Sequence, residues 1–335
     1  MNDNTPNKGE KTAILSNPDV MVEVATLYYL EGLRQEDIAK RLGLSRSAIS
    51  HVLSNAKARG IVEINISKPD TVDHALGDEL AKTFALKEAS LIQSPGRSPE
   101  RTSQIVAEEA VNVLNRSIRR NSVVGIGWGK TIHHLVKSYA PEHELYNVTV
   151  VPLMGETDVL SEYHQQNELV RRFAQRAGAT AGFVYAPCYP KDEEDRRRYL
   201  ETAEMRHLTR QWESLDVAVA GIGAPSRLGQ TVPRSYLYEP GEKREQREIT
   251  AVGDICVRLV DIYGSAVHTT MQDLVIGIPL EILRRVPKVI AVAGGEEKAG
   301  SILGVLRTGV VDVLVSDTLT AHKVLELSGE TGPSR

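Results

Sequence analysis

Two sets of residues in this 335-residue chain have the types and spacing to bind something. The first is Gln35, Ser45, Arg46, Ser47, Ser50 and His51, all within the stretch QEDIAKRLGLSRSAISHVL at 35–53. An amide, short hydroxyls, an imidazole and a guanidinium are groups suited to base edges and phosphates in a DNA major groove. The second is the glycine loop Gly125-Ile126-Gly127-Trp128-Gly129-Lys130-Thr131, with Asp254 and Lys298 further along. Backbone amides at a helix N-terminus, a lysine and a threonine hydroxyl together suit a phosphate. A carboxylate that accepts hydroxyl protons beside such a cradle suits a phosphorylated sugar or polyol.

The elements that must hold the first set are legible from periodicity. Ile38, Leu42, Leu44, Ile49 and Val52 recur at helical spacing, which predicts two amphipathic helices with a tight turn between them. Ala39 allows a close crossing, Gly43 can take the positive φ that ends the first helix, and Ser45 stands where an N-cap is wanted. This is a helix-turn-helix; an ordinary helical hairpin would not need every one of those slots filled. Asn17 to Glu31 reads as a supporting helix, with Val20, Val24, Leu27 and Tyr28 on its inner face. Ile61 to Ile66 alternates like a strand, as a wing would. Residues 1–14 are a polar tail without an apolar signal segment, 15–68 the DNA-binding domain, and 70–330 an effector and oligomerisation domain.

Composition narrows the function classes. No run of about eighteen uncharged apolar residues exists to span a membrane. Cys188 and Cys256 form neither a disulfide framework nor part of a metal cluster, which fits a reducing cytoplasm; neither a metal nor a cofactor is expected. Net charge is −4, yet Arg34 to Arg59 holds six basic residues against two acidic ones. A small basic reader on an acidic body makes few phosphate contacts alone, so site-specific binding calls for an oligomer.

Beyond Pro69, strands and helices alternate. Strands are expected at Ala89–Ile92, Val123–Ile126, Val148–Leu153, Ala181–Tyr185, Val217–Ile222, Lys288–Ala293 and Val311–Val315. Helices are expected at Ile105–Ile118, Thr131–Tyr139, Leu169–Ala177, Asp192–Leu208, Lys298–Thr308 and Thr318–Leu327. Near-continuous apolar strands between helices mean a parallel sheet covered on both faces, and ligands of such sheets sit beyond the strand carboxyl ends. Glycine-rich or polar loops fall at that edge: Leu153-Met154-Gly155, Tyr185-Ala186-Pro187, Gly221 to Ala224, Ala251 to Ile255 and Ala293 to Lys298. Neither nucleotide motif fits the first loop, since a Walker A needs glycine where Val124 stands and a GxGxxG needs one at Lys130. Trp128 is notable because a large aromatic inside a glycine loop has little core to enter. His133, His134, Arg171 and Arg172 read as helix-surface groups.

The chain resembles the SorC (sugar-binding, DeoR-like) bacterial transcriptional regulators over nearly its whole length. The likeness is carried by the helix-turn-helix at 35–53, GIGWGKT at 125–131, YAP at 185–187, AGIGA at 220–224, AVGDI at 251–255 and AGGEEKAGSILGVLRTG at 293–309, in that order. The resemblance implies a winged helix-turn-helix on a Rossmann-like effector domain akin to sugar-phosphate isomerases. It also implies tetrameric repressors or activators whose operator binding changes when a phosphorylated sugar binds; the oligomer expected here is a dimer or tetramer. By motif position, Gly127, Trp128, Gly129, Lys130 and Thr131 would line the phosphate end, Asp254 would hold sugar hydroxyls, and Lys298 would reach phosphate or sugar; Tyr185 and Gly223 complete the expected set. Cys256-Val257-Arg258 departs from the glycine and bulky residue common after GDI, which alters the pocket's size. The competing reading is an enzyme that isomerises or deaminates a sugar phosphate with Asp254 and Lys298; the fused DNA reader weighs against it, because a diffusing catalyst gains nothing from an operator-binding module.

Overall fold

In the computed structural model, residues 17–62, 72–94, 98–157, 161, 163–224, 251–269 and 272–331 are described. The chain divides into two compact units, Met1–Pro69 and Asp70–Arg335.

The described residues of the first unit form three α-helices: α1 (Pro18–Ala25), α2 (Gln35–Leu42) and α3 (Arg46–Ala58). Asn17 caps α1 by accepting from the Asp19 amide, and the helix runs on into a wider π turn at Thr26–Leu30. Gly43 ends α2 at φ 65°, and the Ser45 hydroxyl accepts from the Ala48 amide to start α3, so both turn residues do what their chemistry allows. Met21, Val24 and Leu27 pack against Ile38, Ala39, Ile49, Val52, Leu53 and Ala56. The sequence reading differs at the margin. Leu42, Leu44, Val20 and Tyr28 are half-buried over that core, and Met21 takes the inner place the pattern had not assigned. Ile61 and Val62 pack on the same core outside any strand, and the rest of the expected wing, 63–66, lies outside the described residues.

The second unit runs α4 (His74–Phe84), β1 (Glu88–Ile92), α5 (Pro99–Asn115), β2 (Val123–Ile126), α6 (Lys130–Ser138), β3 (Thr149–Pro152), α7 (Gln166–Ala177), β4 (Thr180–Ala181), α8 (Glu193–Leu200), α9 (Ala203–Glu213) and β5 (Val217–Gly223). It continues with β6 (Ala251–Ile255), β7 (Arg258–Asp261), α10 (Leu280–Leu283), β8 (Lys288–Val292), α11 (Ala299–Arg307), β9 (Val313–Asp317) and α12 (Thr318–Glu330). Seven strands lie parallel in the order β1-β9-β8-β5-β2-β3-β4, and their valines, isoleucines and alanines are covered by helices. From β2 the chain builds outward through β3 and β4, then returns to lay β5 on the other side of β2. Such a reversal leaves a crevice at the strand carboxyl ends.

Three elements depart from the periodicity. Ala181–Tyr185 pairs only at Thr180–Ala181. The single charged helix expected over 192–208 is two, because Thr202 caps a new start by accepting from the Met205 amide. Ala251–Ile255, expected as a loop, is strand β6, antiparallel to the end of β5 and hairpinned to β7. Its central glycine and short length gave a weak strand pattern, and the pairing with β5 is a long-range contact that periodicity does not carry.

Candidate functional site

A cavity of about 310 Å³ lies at the carboxyl ends of β2 and β5, the crevice the topology leaves. One wall is Trp128, Gly129, Lys130 and Thr131, the turn from β2 into α6. Gly223, Asp254 and Lys298, from β5, β6 and the turn before α11, line another part of the cavity. Seven of the nine residues expected from sequence therefore meet here.

The first wall has the character of an anion site, with a change in which amides serve it. Gly127 sits just behind the lining: its amide donates to the Val219 carbonyl at 2.8 Å, and a Cβ there would press on Ala220 and Met154 at 3.3 Å. The Gly129 amide donates to the Tyr163 carbonyl at 2.8 Å. The expectation that these two glycines present bare amides is thus corrected: both are spent on holding the loop. What Gly129 does supply, at φ 120°, is the N-cap backbone from which α6 starts. The first-turn amides of α6 have no carbonyl within the helix to meet, so the helix end itself favours negative charge. Thr131 Oγ1 lies 3.0 Å from Ser103 Oγ on α5, tying the two helices together. Lys130 Nζ pairs with Glu100 in the first turn of α5, and the other Glu100 oxygen lies 2.9 Å from His134 Nε2. The Lys130 ammonium holds the Glu100 carboxyl below its usual range, and burial does the same to the His134 imidazole.

Trp128 does find a core. Its side chain is 8% exposed, packed within the main hydrophobic cluster and edge-on to His164 at 5.8 Å, while still bordering the cavity.

In the second group Asp254 stands directly beside Gly223 in the β5–β6 pairing. A Cβ on Gly223 would fall 1.8 Å from Asp254 Oδ1, so only glycine leaves room for the carboxylate. Oδ2 accepts from the Val257 amide at 3.1 Å. Burial pushes the Asp254 pKa up to about 6, against the opposing pull of that amide and of the Lys298 ammonium. Lys298 Nζ donates to the Ile222 carbonyl at 3.2 Å, which keeps it at the same strand end. The turn that supplies the Val257 amide is Cys256-Val257, with both residues at positive φ (49° and 65°). A β-branched residue rarely holds that conformation. Here it aims the amide at Asp254 and puts both side chains on the cavity. Arg258 turns away, its guanidinium donating to the carbonyls of Gln272, Val275, Gly277 and Ile278.

Tyr185 does not join the site: it is 61% exposed and absent from the lining, because the strand expected to present it ends at Ala181. Tyr189 takes a place there instead, with Tyr163 and His164. His164 Nδ1 is buried with no hydrogen-bond partner among the described residues, and burial lowers the imidazole pKa. A neutral ring of that kind can donate to or accept from a ligand hydroxyl. Nothing in the sequence singled it out, since it lies in an irregular loop. Arg171 and Arg172 are surface partners of Glu168, and His133 is buried at 7% exposure. Among the described residues no cluster of histidine, cysteine and carboxylate could hold a metal ion, and no helix is long and apolar enough to cross a membrane.

The first unit presents a different surface. Ser45, Arg46, Ser47, Ser50 and His51 are all exposed at the start of α3, and Gln35 is half-buried at the start of α2. Arg46 Nη1 lies 3.6 Å from Glu36, a solvent-exposed pair of small energetic weight that leaves the guanidinium available to phosphate.

Comparison with known proteins places this arrangement. The family profile described as "Putative sugar-binding domain" matches residues 70–326. The sorbitol operon regulator of Klebsiella pneumoniae is 30% identical over 310 residues, covering 92% of this chain and 98% of its own. The deoxyribonucleoside regulator of Bacillus subtilis (strain 168) is 26% identical over 304 residues, 91% of this chain and 96% of its own. The crystal structure of the full-length sorbitol operon regulator SorC from Klebsiella pneumoniae superposes with a TM-score of 0.70 at 29% identity, over 92% of this chain and 99% of that one. The chain belongs to the SorC family of transcriptional regulators, with that family's sugar-binding domain as its second unit.

Proposed function

We propose that this chain is a cytoplasmic DNA-binding regulator of a carbohydrate catabolic operon, controlled by a phosphorylated sugar or polyol held in the cavity of the second unit. The observation that carries the reading is the cavity's two-ended chemistry. A helix N-terminus with Lys130 and a buried carboxylate, Asp254, line one cavity of about 310 Å³. The first end suits a phosphate and the second suits hydroxyls. His164, with its unsatisfied nitrogen, gives the hydroxyl-bearing part of the ligand a further partner. In the same chain, α3 carries polar and basic side chains suited to a major groove, and the relatives named as a sorbitol operon regulator and a deoxyribonucleoside regulator span nearly all of it.

One such reader makes too few phosphate contacts for tight binding, so the working form is a homo-oligomer, a dimer or tetramer, on paired half-sites. Ligand shifts the population between arrangements of that oligomer, by no more than its difference in affinity for the two. The test is gel retardation on fragments flanking the protein's own gene, titrated with sugar phosphates. Binding that no sugar phosphate alters would overturn the reading.

A second reading rests on Asp254, whose pKa of about 6 beside Lys298 is one a general base could use. Purified protein that turns over a sugar phosphate would establish it; we propose instead that the chain is not an enzyme, because the Asp254 carboxylate is fixed by Gly223 and the Val257 amide in the role of a hydroxyl acceptor.

A further inference from the structure

We propose that Glu100 is a built-in competitor for the anion end of the cavity, and that it restricts the site to dianionic ligands. The inference rests on the effector reading above and concerns what that site selects. Lys130 is the cavity's cation at the α6 N-terminus, and its ammonium is already paired with Glu100 from the first turn of α5. The same carboxylate lies 2.9 Å from His134 Nε2, but burial lowers the pKa of that imidazole, so Lys130 is the cation that Glu100 occupies. Glu100 does not itself line the cavity, and its side chain is 48% exposed. It can therefore swing into solvent without opening a hole in the core.

The consequence is electrostatic. A ligand carboxylate that takes Lys130 from Glu100 replaces one unit charge by another, and gains little. A phosphate monoester carries about −1.5 to −2 charge near neutrality and three acceptor oxygens, so it outbids the glutamate. It also meets the α6 amides, which the Glu100 carboxylate does not reach by any bond in the structure. Sugar acids are thereby discriminated against by a residue outside the cavity, through the repulsive arm of specificity. The Ser103–Thr131 hydroxyl contact, one turn further along α5, keeps the two helix starts together while Glu100 leaves.

The test uses the full chain, with inorganic phosphate and acetate as the dianionic and monoanionic probes, and Kd measured by isothermal titration calorimetry. Glu100→Gln should tighten phosphate by roughly threefold or more, the scale of a partly exposed ion pair, and should tighten acetate by a larger factor, eroding the preference for the dianion; equal factors for the two probes would overturn the claim of discrimination. Glu100→Ala should behave alike, which guards against an effect peculiar to the new amide. Phosphate binding that is unchanged or weaker in both variants would overturn the proposal, since Glu100 would then be positioning Lys130 rather than competing for it. The parent reading fails separately: if phosphate binds but Lys130→Ala leaves its Kd unmoved, the anion end is not at α6 at all, and both statements fall.

Discussion

Asp254 and Gly223 pair in the β5–β6 ladder, and of the cavity glycines Gly223 is the one where an added Cβ would fall nearest a neighbour. Gly223→Ala should therefore displace the carboxylate and abolish the response to ligand, while DNA affinity without ligand stays as it was; gel retardation with and without a sugar phosphate reads both. The protonation of Asp254 gives a second prediction at this scale. Its folded pKa of about 6 lies above the ordinary 3.8, so the folded chain binds this proton more tightly than the unfolded one. Its contribution to stability is accordingly full below about pH 4 and is lost as pH rises towards 6. Asp254→Asn removes the titration. Relative to wild type, the variant should gain stability between those pH values, by on the order of 3 kcal/mol at most. Urea midpoints at the two ends of the window check it, and a constant difference would mean that Asp254 is not buried as an acid. Not every residue of this site was open to sequence reading. Gly223 and Asp254 were suggested by position in glycine-rich segments, but His164 and Glu100 were not. Glu100 sits where any helix welcomes an acid, and only the fold brings it to Lys130.

Elements were most legible where a local rule sufficed. The α2–turn–α3 unit follows from apolar spacing, a glycine at positive φ and a capping serine, and each of those acts within four residues. Legibility fell where a partner far along the chain decides. β6 is a strand because β5 and β7 flank it, and β4 stops short after Ala181, which leaves Tyr185 in the open. The cap can be tested directly. Ser45→Ala removes the acceptor for the Ala48 amide and should cost about 1 kcal/mol in the first unit's stability. Arg46→Ala, one residue on, has an exposed side chain with a weak partner and should cost little stability. It should instead weaken operator binding and flatten its dependence on salt, since a phosphate contact releases a counterion. Equal salt slopes for Arg46→Ala and wild type would remove Arg46 from the DNA contacts.

At the scale of the molecule, the two units hold separate hydrophobic cores, one around Ile38 and Ile49 and one around the parallel sheet. Damage to one core should accordingly spare the chemistry of the other. Ile49 is fully buried, and Ile49→Ala should cost roughly 2–5 kcal/mol by the cavity it leaves. That is a large share of what a small three-helix unit can possess. DNA binding should fail at ordinary temperatures while the second unit still takes its ligand with a Kd within about twofold of wild type, because distant, unshared sites act additively. Calorimetric titration of inorganic phosphate into the variant, beside gel retardation of the same sample, separates the two. A variant that loses both together would show that the reader helps to build the ligand cavity, and control of DNA binding would then have to be sought in a shared interface rather than in a shift between arrangements of intact units.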